Sequence, residues 1–169
     1  MRYLIVCGGK TDKEFGLNEI KTDGIDAIIA ADSGMDFLYE NGVTPDIIVG
    51  DFDSATTKAL EFFERKGQTE IHRLNPIKDD TDTEYAIRLA IREGARSIVL
   101  LGATGSRIDH VLGNISLLGI GLESGTDISI IDTNNRIRMA DRPVTIEKSA
   151  QYGRFVSLIA VTDDNEVSL

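Results

Sequence analysis

Ile47-Ile48-Val49-Gly50-Asp51-Phe52-Asp53-Ser54 sets the fold. A short run that is apolar throughout stops on a glycine and opens directly into carboxylates. With no polar alternation it reads as a strand covered on both faces, the habit of parallel sheets packed between helices. The pattern repeats along the chain. Residues 2–7 run into Gly8-Gly9, residues 26–31 into Asp32-Ser33-Gly34, and residues 97–101 into Gly102-Ala103-Thr104-Gly105, while residues 69–73 lead towards Lys78-Asp79-Asp80-Thr81-Asp82-Thr83-Glu84. Residues 35–40, 57–66, 83–93 and 109–123 read as the intervening helices. In the third of these Tyr85, Ala86, Leu89 and Ala90 recur at helical spacing. Glycines at 42, 67, 94 and 125 fall just past these helices, where a left-handed residue is wanted. The alternation predicts an α/β fold, a mostly parallel sheet with helices on both faces.

Beyond Gly125 the texture changes to β-type runs at 128–132, 137–139, 144–147 and 155–161, with Asn134-Asn135 and Arg142-Pro143 as turns. The expected division is an α/β domain over residues 1–133 and a partial antiparallel β-sandwich over 134–169. The second is too short to close a sandwich alone, so it is expected to be truncated or completed by a partner chain.

Composition limits what such a chain can do. Its 169 residues, 41% hydrophobic and 27% charged, suffice for one cored domain or one and a fragment. The net charge of -10, from 28 acidic and 18 basic residues, argues against broad electrostatic binding of nucleic acid. An acidic protein that handles polyphosphates needs a metal to bridge the repulsion. The single cysteine, Cys7, excludes an internal disulfide, reads as a small buried residue and suits a reducing cytoplasm. No apolar run approaches the roughly 20 residues that span a bilayer, and residues 3–7 are too short for a secretory core. A cytoplasmic location and no membrane association are expected.

In open α/β sheets ligands bind beyond the carboxyl ends of the strands, where this chain repeatedly places its polar loops. Asp51 and Asp53, two apart, project to one side if the chain stays extended, and two close carboxylates call for a cation or a proton. An Asx-turn leading into the next helix is the structural alternative. Thr81 and Glu84 form a capping box, which accounts for those two residues but not for Asp79, Asp80 and Asp82 crowding the same turn. If the two acidic clusters meet they suit a hard cation, which takes oxygen ligands and leaves room for water and phosphate. The 102–110 segment ends a strand and opens a helix, so its backbone N–H groups can receive phosphate, with Arg107 as a clamp. His72 reads as structural, on a strand without polar company.

Together Ala31-Asp32-Ser33-Gly34, Pro45-Asp46, Gly50-Asp51-Phe52-Asp53-Ser54, Asp79-x-Thr81-Asp82-x-Glu84-x-Ala86, Leu101-Gly102-Ala103-Thr104-Gly105-Ser106-Arg107-x-Asp109-His110 and Asn114 resemble the thiamine pyrophosphokinase family in order and spacing. Tyr152-Gly153 with Phe155-Val156-Ser157-Leu158 looks like the opening of that family's β-sandwich. The resemblance implies Mg²⁺-dependent transfer of a pyrophosphoryl group from ATP to the hydroxyl of thiamine, giving thiamine diphosphate and AMP, in a homodimer. It implies that Asp51, Asp53 and Asp82 hold the metal at the catalytic centre. Asp32, Ser33, Asp79, Thr81, Thr104, Gly105 and Arg107 would then bind ATP and its phosphates, and Asp109, His110 and Asn114 the acceptor substrate. Two other readings stay open. The domain could bind ATP or thiamine diphosphate without turnover, or Asp51 could be the nucleophile of a haloacid dehalogenase-type phosphatase, whose strand-plus-DxD entry residues 47–54 also resemble.

Overall fold

A computed structural model describes residues 1–52, 57–75, 80–105 and 107–162. Strands β1 (Arg2–Val6), β2 (Ala27–Ala31), β3 (Ile47–Gly50), β4 (Glu70–Arg73), β5 (Ser97–Leu101), β6 (Asp127–Ile131) and β7 (Arg136–Arg138) form one sheet in the order β4-β3-β2-β1-β5-β6-β7. Every neighbouring pair is parallel except β6 with β7. The helices are α1 (Lys13–Ile20), α2 (Gly34–Glu40), α3 (Thr57–Lys66), α4 (Asp82–Arg92) and α5 (Ile108–Ser124). The runs read as strands up to residue 139 thus formed strands within about a residue of where their composition placed them.

The pleat of β1 shows why its sequence is apolar throughout. Tyr3, Ile5 and Cys7 point into a layer built with Ala86, Ile87 and Ala90 of α4 and Leu118 of α5. Leu4 and Val6 point into the opposite layer, with Met35 and Leu38 of α2 and Phe63 of α3. Successive side chains of a strand face opposite ways, so only a strand apolar at every position can serve two helical layers.

From β1 the chain steps through β2 and β3 to β4 at one edge, and α4 then carries it back across the opposite face to β5. Strand order therefore reverses between β1 and β5, the switch point at which such sheets form their ligand crevice. Three strand-end loops meet there closely. A Cβ on Gly8 would lie 2.2 Å from the Ser33 hydroxyl oxygen, and one on Gly9 would lie 2.3 Å from the Gly102 carbonyl oxygen. Gly102 itself adopts φ 71° and would bring a Cβ to 2.6 Å from the Cys7 carbonyl. Gly8-Gly9 is thus required by close approach, beyond any use as a connector.

Three expectations needed correction. Helix α1 was not foreseen. Its Gly16 sits where a Cβ would meet Phe37 and Thr11 atoms at 2.7 Å, so the position is chosen for contact with α2 and not for helix propensity. The runs at 144–147 and 155–161 form no strands. Val144, Ile146, Phe155, Leu158, Ile159 and Val161 are exposed, and a 3-10 turn covers Lys148–Ala150. A strand needs a hydrogen-bonded neighbour as well as β-branched residues, and β7 pairs only with β6 among the described residues. The segment is held instead by the Tyr152 hydroxyl, which donates to the Asp132 carbonyl at 2.7 Å. Finally, His72 does have polar company: its Nδ1 lies 3.2 Å from the Tyr85 hydroxyl and its Nε2 lies 2.7 Å from Glu70 Oε1. The contact with Tyr85 ties β4 to α4, that with Glu70 stays within β4, and both leave the structural role of His72 in place.

The Asn134-Asn135 turn forms as expected, joining β6 to β7 around the Asp132 carboxylate. No helix among the described residues is long and apolar enough to cross a membrane.

Candidate active site

Three half-buried carboxylates converge beside the switch point. Asp32 follows β2, Asp51 follows β3, and Asp82 is the first residue of α4, and one oxygen from each lies within 4.8 Å of the others. Each is brought there by a different local device. Asp32 adopts a left-handed φ of 48°, a conformation Asp tolerates better than most residues, and its N–H donates to the Val49 carbonyl of β3 at 2.8 Å. Asp51 is followed by Phe52 at φ 64°, rare for a bulky side chain and costing on the order of 1–3 kcal/mol. The Phe52 ring packs into the α2–α3 layer and lies 5.4 Å beneath the Arg73 guanidinium, which holds it in place. Asp82 is fixed by the cap before it: the Thr81 hydroxyl accepts from the Glu84 N–H at 3.1 Å. A carboxylate in the first turn also faces the positive end of the helix dipole.

The left-handed Phe52 removes the premise that residues 51–53 stay extended. Phe52 does anchor the loop, and Asp51 reaches the site directly after β3, with a left-handed residue and not a continuing strand behind it. The capping box is half formed. Glu84 does not reach back to Thr81, and its Oε1 instead accepts from Arg88 Nε and Nη2 at 2.9 and 2.7 Å.

Three like charges this close repel unless a cation or a proton intervenes. The donors are all carboxylate oxygens, the ligand type that Mg²⁺ prefers, and Mg²⁺ characteristically takes one or two of them and keeps its other positions for water and phosphate. The donor set therefore fits such an ion. Asp32, expected beside the nucleotide, belongs geometrically with Asp51 and Asp82. Asp53, the third expected metal ligand, and Asp79, an expected phosphate contact, lie outside the described residues.

The other expected residues group around the β5–α5 loop. Thr104 donates its hydroxyl to Asp132 Oδ2 at 2.7 Å, and Asn114 Nδ2 donates to the Ala103 carbonyl at 2.9 Å. Asn114 therefore holds the loop from the first turns of α5. Arg107 is exposed and pairs with Asp109, Nη2 to Oδ2 at 2.6 Å. That pairing, chiefly the hydrogen bond from Arg107, holds the Asp109 carboxyl below its usual range. His110 is exposed, with Nε2 4.0 Å from Asp109. Ser33 begins α2 without a side-chain cap bond, its hydroxyl against Gly8.

Beneath this loop lies a cavity of about 480 Å³. It is bounded by the β1–α1 loop (Lys10, Thr11), by Thr104 and Gly105, and by Asp132 and Asn134 of the β6–β7 turn. Asp132 was not singled out in the sequence, although an Asp directly after an apolar strand is the same signal that marked Asp32 and Asp51. Burial would raise its carboxyl, yet hydrogen bonds from the Asn134 N–H, the Thr104 hydroxyl and Asn135 outweigh that and hold it below the ordinary range. Burial pushes the Cys7 thiol up to about 12, against a hydrogen bond with Thr83 that lowers it, so this cysteine is a core residue and no nucleophile.

Fold and site together define a doubly wound α/β domain with an acidic centre and an adjoining cavity at the carboxyl ends of its strands. Residues 21–130 match the family model for the thiamin pyrophosphokinase catalytic domain, and the chain belongs to that family. It is 35% identical over 137 residues to the thiamine pyrophosphokinase of Bacillus subtilis (strain 168), covering 80% of this chain and 63% of that protein. A solved thiamine pyrophosphokinase from Bacillus subtilis superposes with a TM-score of 0.70 at 32% identity, over 82% of this chain and 64% of its own. One from Geobacillus thermodenitrificans gives 0.67 at 31% identity, over 80% and 61%. The chain thus spans a little under two thirds of these relatives.

Proposed function

We propose that this domain transfers a pyrophosphoryl group from Mg-ATP to the hydroxyl of thiamine, yielding thiamine diphosphate and AMP. The observation that carries the reading is the convergence of the Asp32, Asp51 and Asp82 oxygens within 4.8 Å, in a chain that belongs to the thiamin pyrophosphokinase family. Asp53, two residues after Asp51, completes the proposed metal set. Mg²⁺ bound there would offset phosphate charge and polarise the β-phosphoryl group for attack.

The remaining work falls to the chain. Capping by Thr81 fixes Asp82, the turn at Asp32-Ser33 fixes Asp32, and the left-handed Phe52 with its packed ring fixes Asp51. The β5–α5 loop offers backbone N–H groups at a helix start, a suitable seat for phosphate, and Arg107 adds a guanidinium that exchanges Asp109 for a phosphate oxygen. We assign Asp79, Thr81 and Ser33 to the nucleotide side, and Asp109, His110 and Asn114 to the side from which the alcohol enters. In the reaction the alcohol oxygen forms a bond to the β-phosphorus, the α–β anhydride bond breaks, AMP departs and the alcohol proton is released to the medium. Such transfer depends on alignment and charge neutralisation more than on a strong base.

The exposed apolar residues between Val144 and Val161 favour a homodimer in which this segment is covered. A buried free thiol at Cys7 suits a reducing cytoplasm. The deciding experiment is AMP formation from saturating Mg-ATP with and without thiamine. Thiamine-dependent AMP is expected, and its absence overturns the catalytic reading. Retained Mg-ATP binding in that case would make the domain a nucleotide-binding module.

A further inference from the structure

The Asp132 carboxylate divides its two oxygens between two tasks. Oδ1 accepts from the Asn134 N–H at 2.8 Å, the Asn135 N–H at 2.7 Å and Asn135 Nδ2 at 3.0 Å, which builds the β6–β7 turn. Oδ2 accepts from the Thr104 hydroxyl at 2.7 Å and from Asn135 Nδ2 at 3.1 Å. An ionised carboxylate only accepts, so in the first of these the single proton of Thr104 points at Asp132. What Thr104 shows to the cavity it lines is then an oxygen with lone pairs and no proton. The charge around the cavity agrees, with Asp12 and Asp132 set against Lys10 alone. Such a wall suits a hydrogen-bond donor and is unfavourable for phosphate oxygens, which only accept.

We propose that Asp132 is a specificity-determining residue: by engaging the proton of Thr104 it makes that oxygen acceptor-only, so that the group seated in the cavity is a donor from the nucleoside end of the nucleotide. This rests on the nucleotide reading above. It places the phosphates outside this cavity, between the three aspartates and the start of α5 with Arg107, and the ribose hydroxyls or exocyclic amine beside Thr104. Asp132 acts through Thr104 and is a positioning residue.

The test titrates wild type, Asp132→Asn, Thr104→Val, Thr104→Ser and the Asp132→Asn/Thr104→Val double variant with Mg-ATP and with Mg-tripolyphosphate by calorimetry. In Asp132→Asn the turn's backbone donors keep the amide oxygen on their side. The amide nitrogen therefore faces Thr104, whose proton turns into the cavity. Asp132→Asn and Thr104→Val should each weaken Mg-ATP about tenfold, the worth of one hydrogen bond at its upper range, and leave tripolyphosphate unchanged. Thr104→Ser should restore Mg-ATP, and the double variant should be no weaker than either single one, as for residues acting as a unit. Thermal unfolding of each variant separates this selective loss from collapse of the turn, which would weaken both ligands. Wild type that binds neither probe overturns the nucleotide reading and this inference together. Wild type that binds Mg-ATP while both single variants bind it equally well, or lose both ligands in parallel, overturns this inference alone.

Discussion

Single residues at this site are readable by the partner each one has. Asp51 and Asp82 are two of the three carboxylates within 4.8 Å, and neither can be replaced by a neutral amide without weakening a bound cation. Asp51→Asn and Asp82→Asn should each lower thiamine-dependent AMP formation by about two to three orders of magnitude, the usual cost of losing a preorganised electrostatic contact. They should also abolish the rise in unfolding temperature expected when Mg²⁺ is added to the wild type, a readout independent of turnover. Asp132 makes a different prediction, about pH. Its folded carboxyl lies below the ordinary value of 3.8 because the hydrogen bonds from Asn134, Thr104 and Asn135 outweigh its burial. A depressed carboxyl stabilises the fold fully above its unfolded pKa and loses that contribution as pH falls through the folded one. Urea midpoints measured from about pH 5 down to about pH 2 should therefore fall less steeply in Asp132→Asn than in wild type, since the variant has no proton to take up there. At this scale the sequence located Asp32, Asp51 and Asp82 at strand ends or a helix start. It could not show that Asp32 stands with the other two, because that depends on the gap between β2, β3 and α4.

Elements were legible where their own residues decided them. The apolar runs of β1, β3 and β5 named themselves because a strand between two helical layers must be apolar at every position. Helix α4 announced both ends, Thr81 before it and Gly94 beyond it, and Gly94 indeed adopts φ 88°. Its cap is also functional in position, since Asp82 is the next residue. Thr81→Ala should cost about 1 kcal/mol of stability, and in a chain of this size lower the melting temperature by about 2–4 °C. It should reduce activity more than that loss of stability explains, because Asp82 loses its fixed start of helix. Calorimetric melting and initial rates measured together decide this. Helix α1 was missed for a definite reason. Its sequence, with Gly16 inside and weak amphipathic pattern, satisfies a contact with Phe37 of α2 that local propensity does not encode. Asp12, whose Oδ1 accepts from the Phe15 N–H at 2.9 Å, was the one signal that could have found it. The runs at 144–147 and 155–161 failed in the opposite way, carrying β propensity without a neighbouring strand.

Across the whole molecule, the net charge of -10 and the carboxylate cluster both oppose an anionic nucleotide. ATP with excess chelator should therefore leave the unfolding temperature of the domain unchanged, and Mg-ATP should raise it. An effect of ATP alone equal to that of Mg-ATP would contradict the assignment of the acidic centre to a metal. Because Mg-ATP also adds ligand linkage, its effect should grow with concentration as RT ln(1 + [L]/Kd), about 2.7 kcal/mol at a hundredfold excess over Kd.

The sequence by itself determined the class of fold, the carboxyl-end location of the polar loops and the residue types suited to a cation and phosphates. Those follow from periodicity, caps and turns, which act over a few residues. Only the tertiary structure decided that strand order reverses between β1 and β5, that Asp32 joins Asp51 and Asp82, and that Asp132 accepts the hydroxyl hydrogen bond of Thr104 from 28 residues away. These are relations between segments distant in the chain, and they exist only once packing of the two helical layers has fixed the order and spacing of the strands.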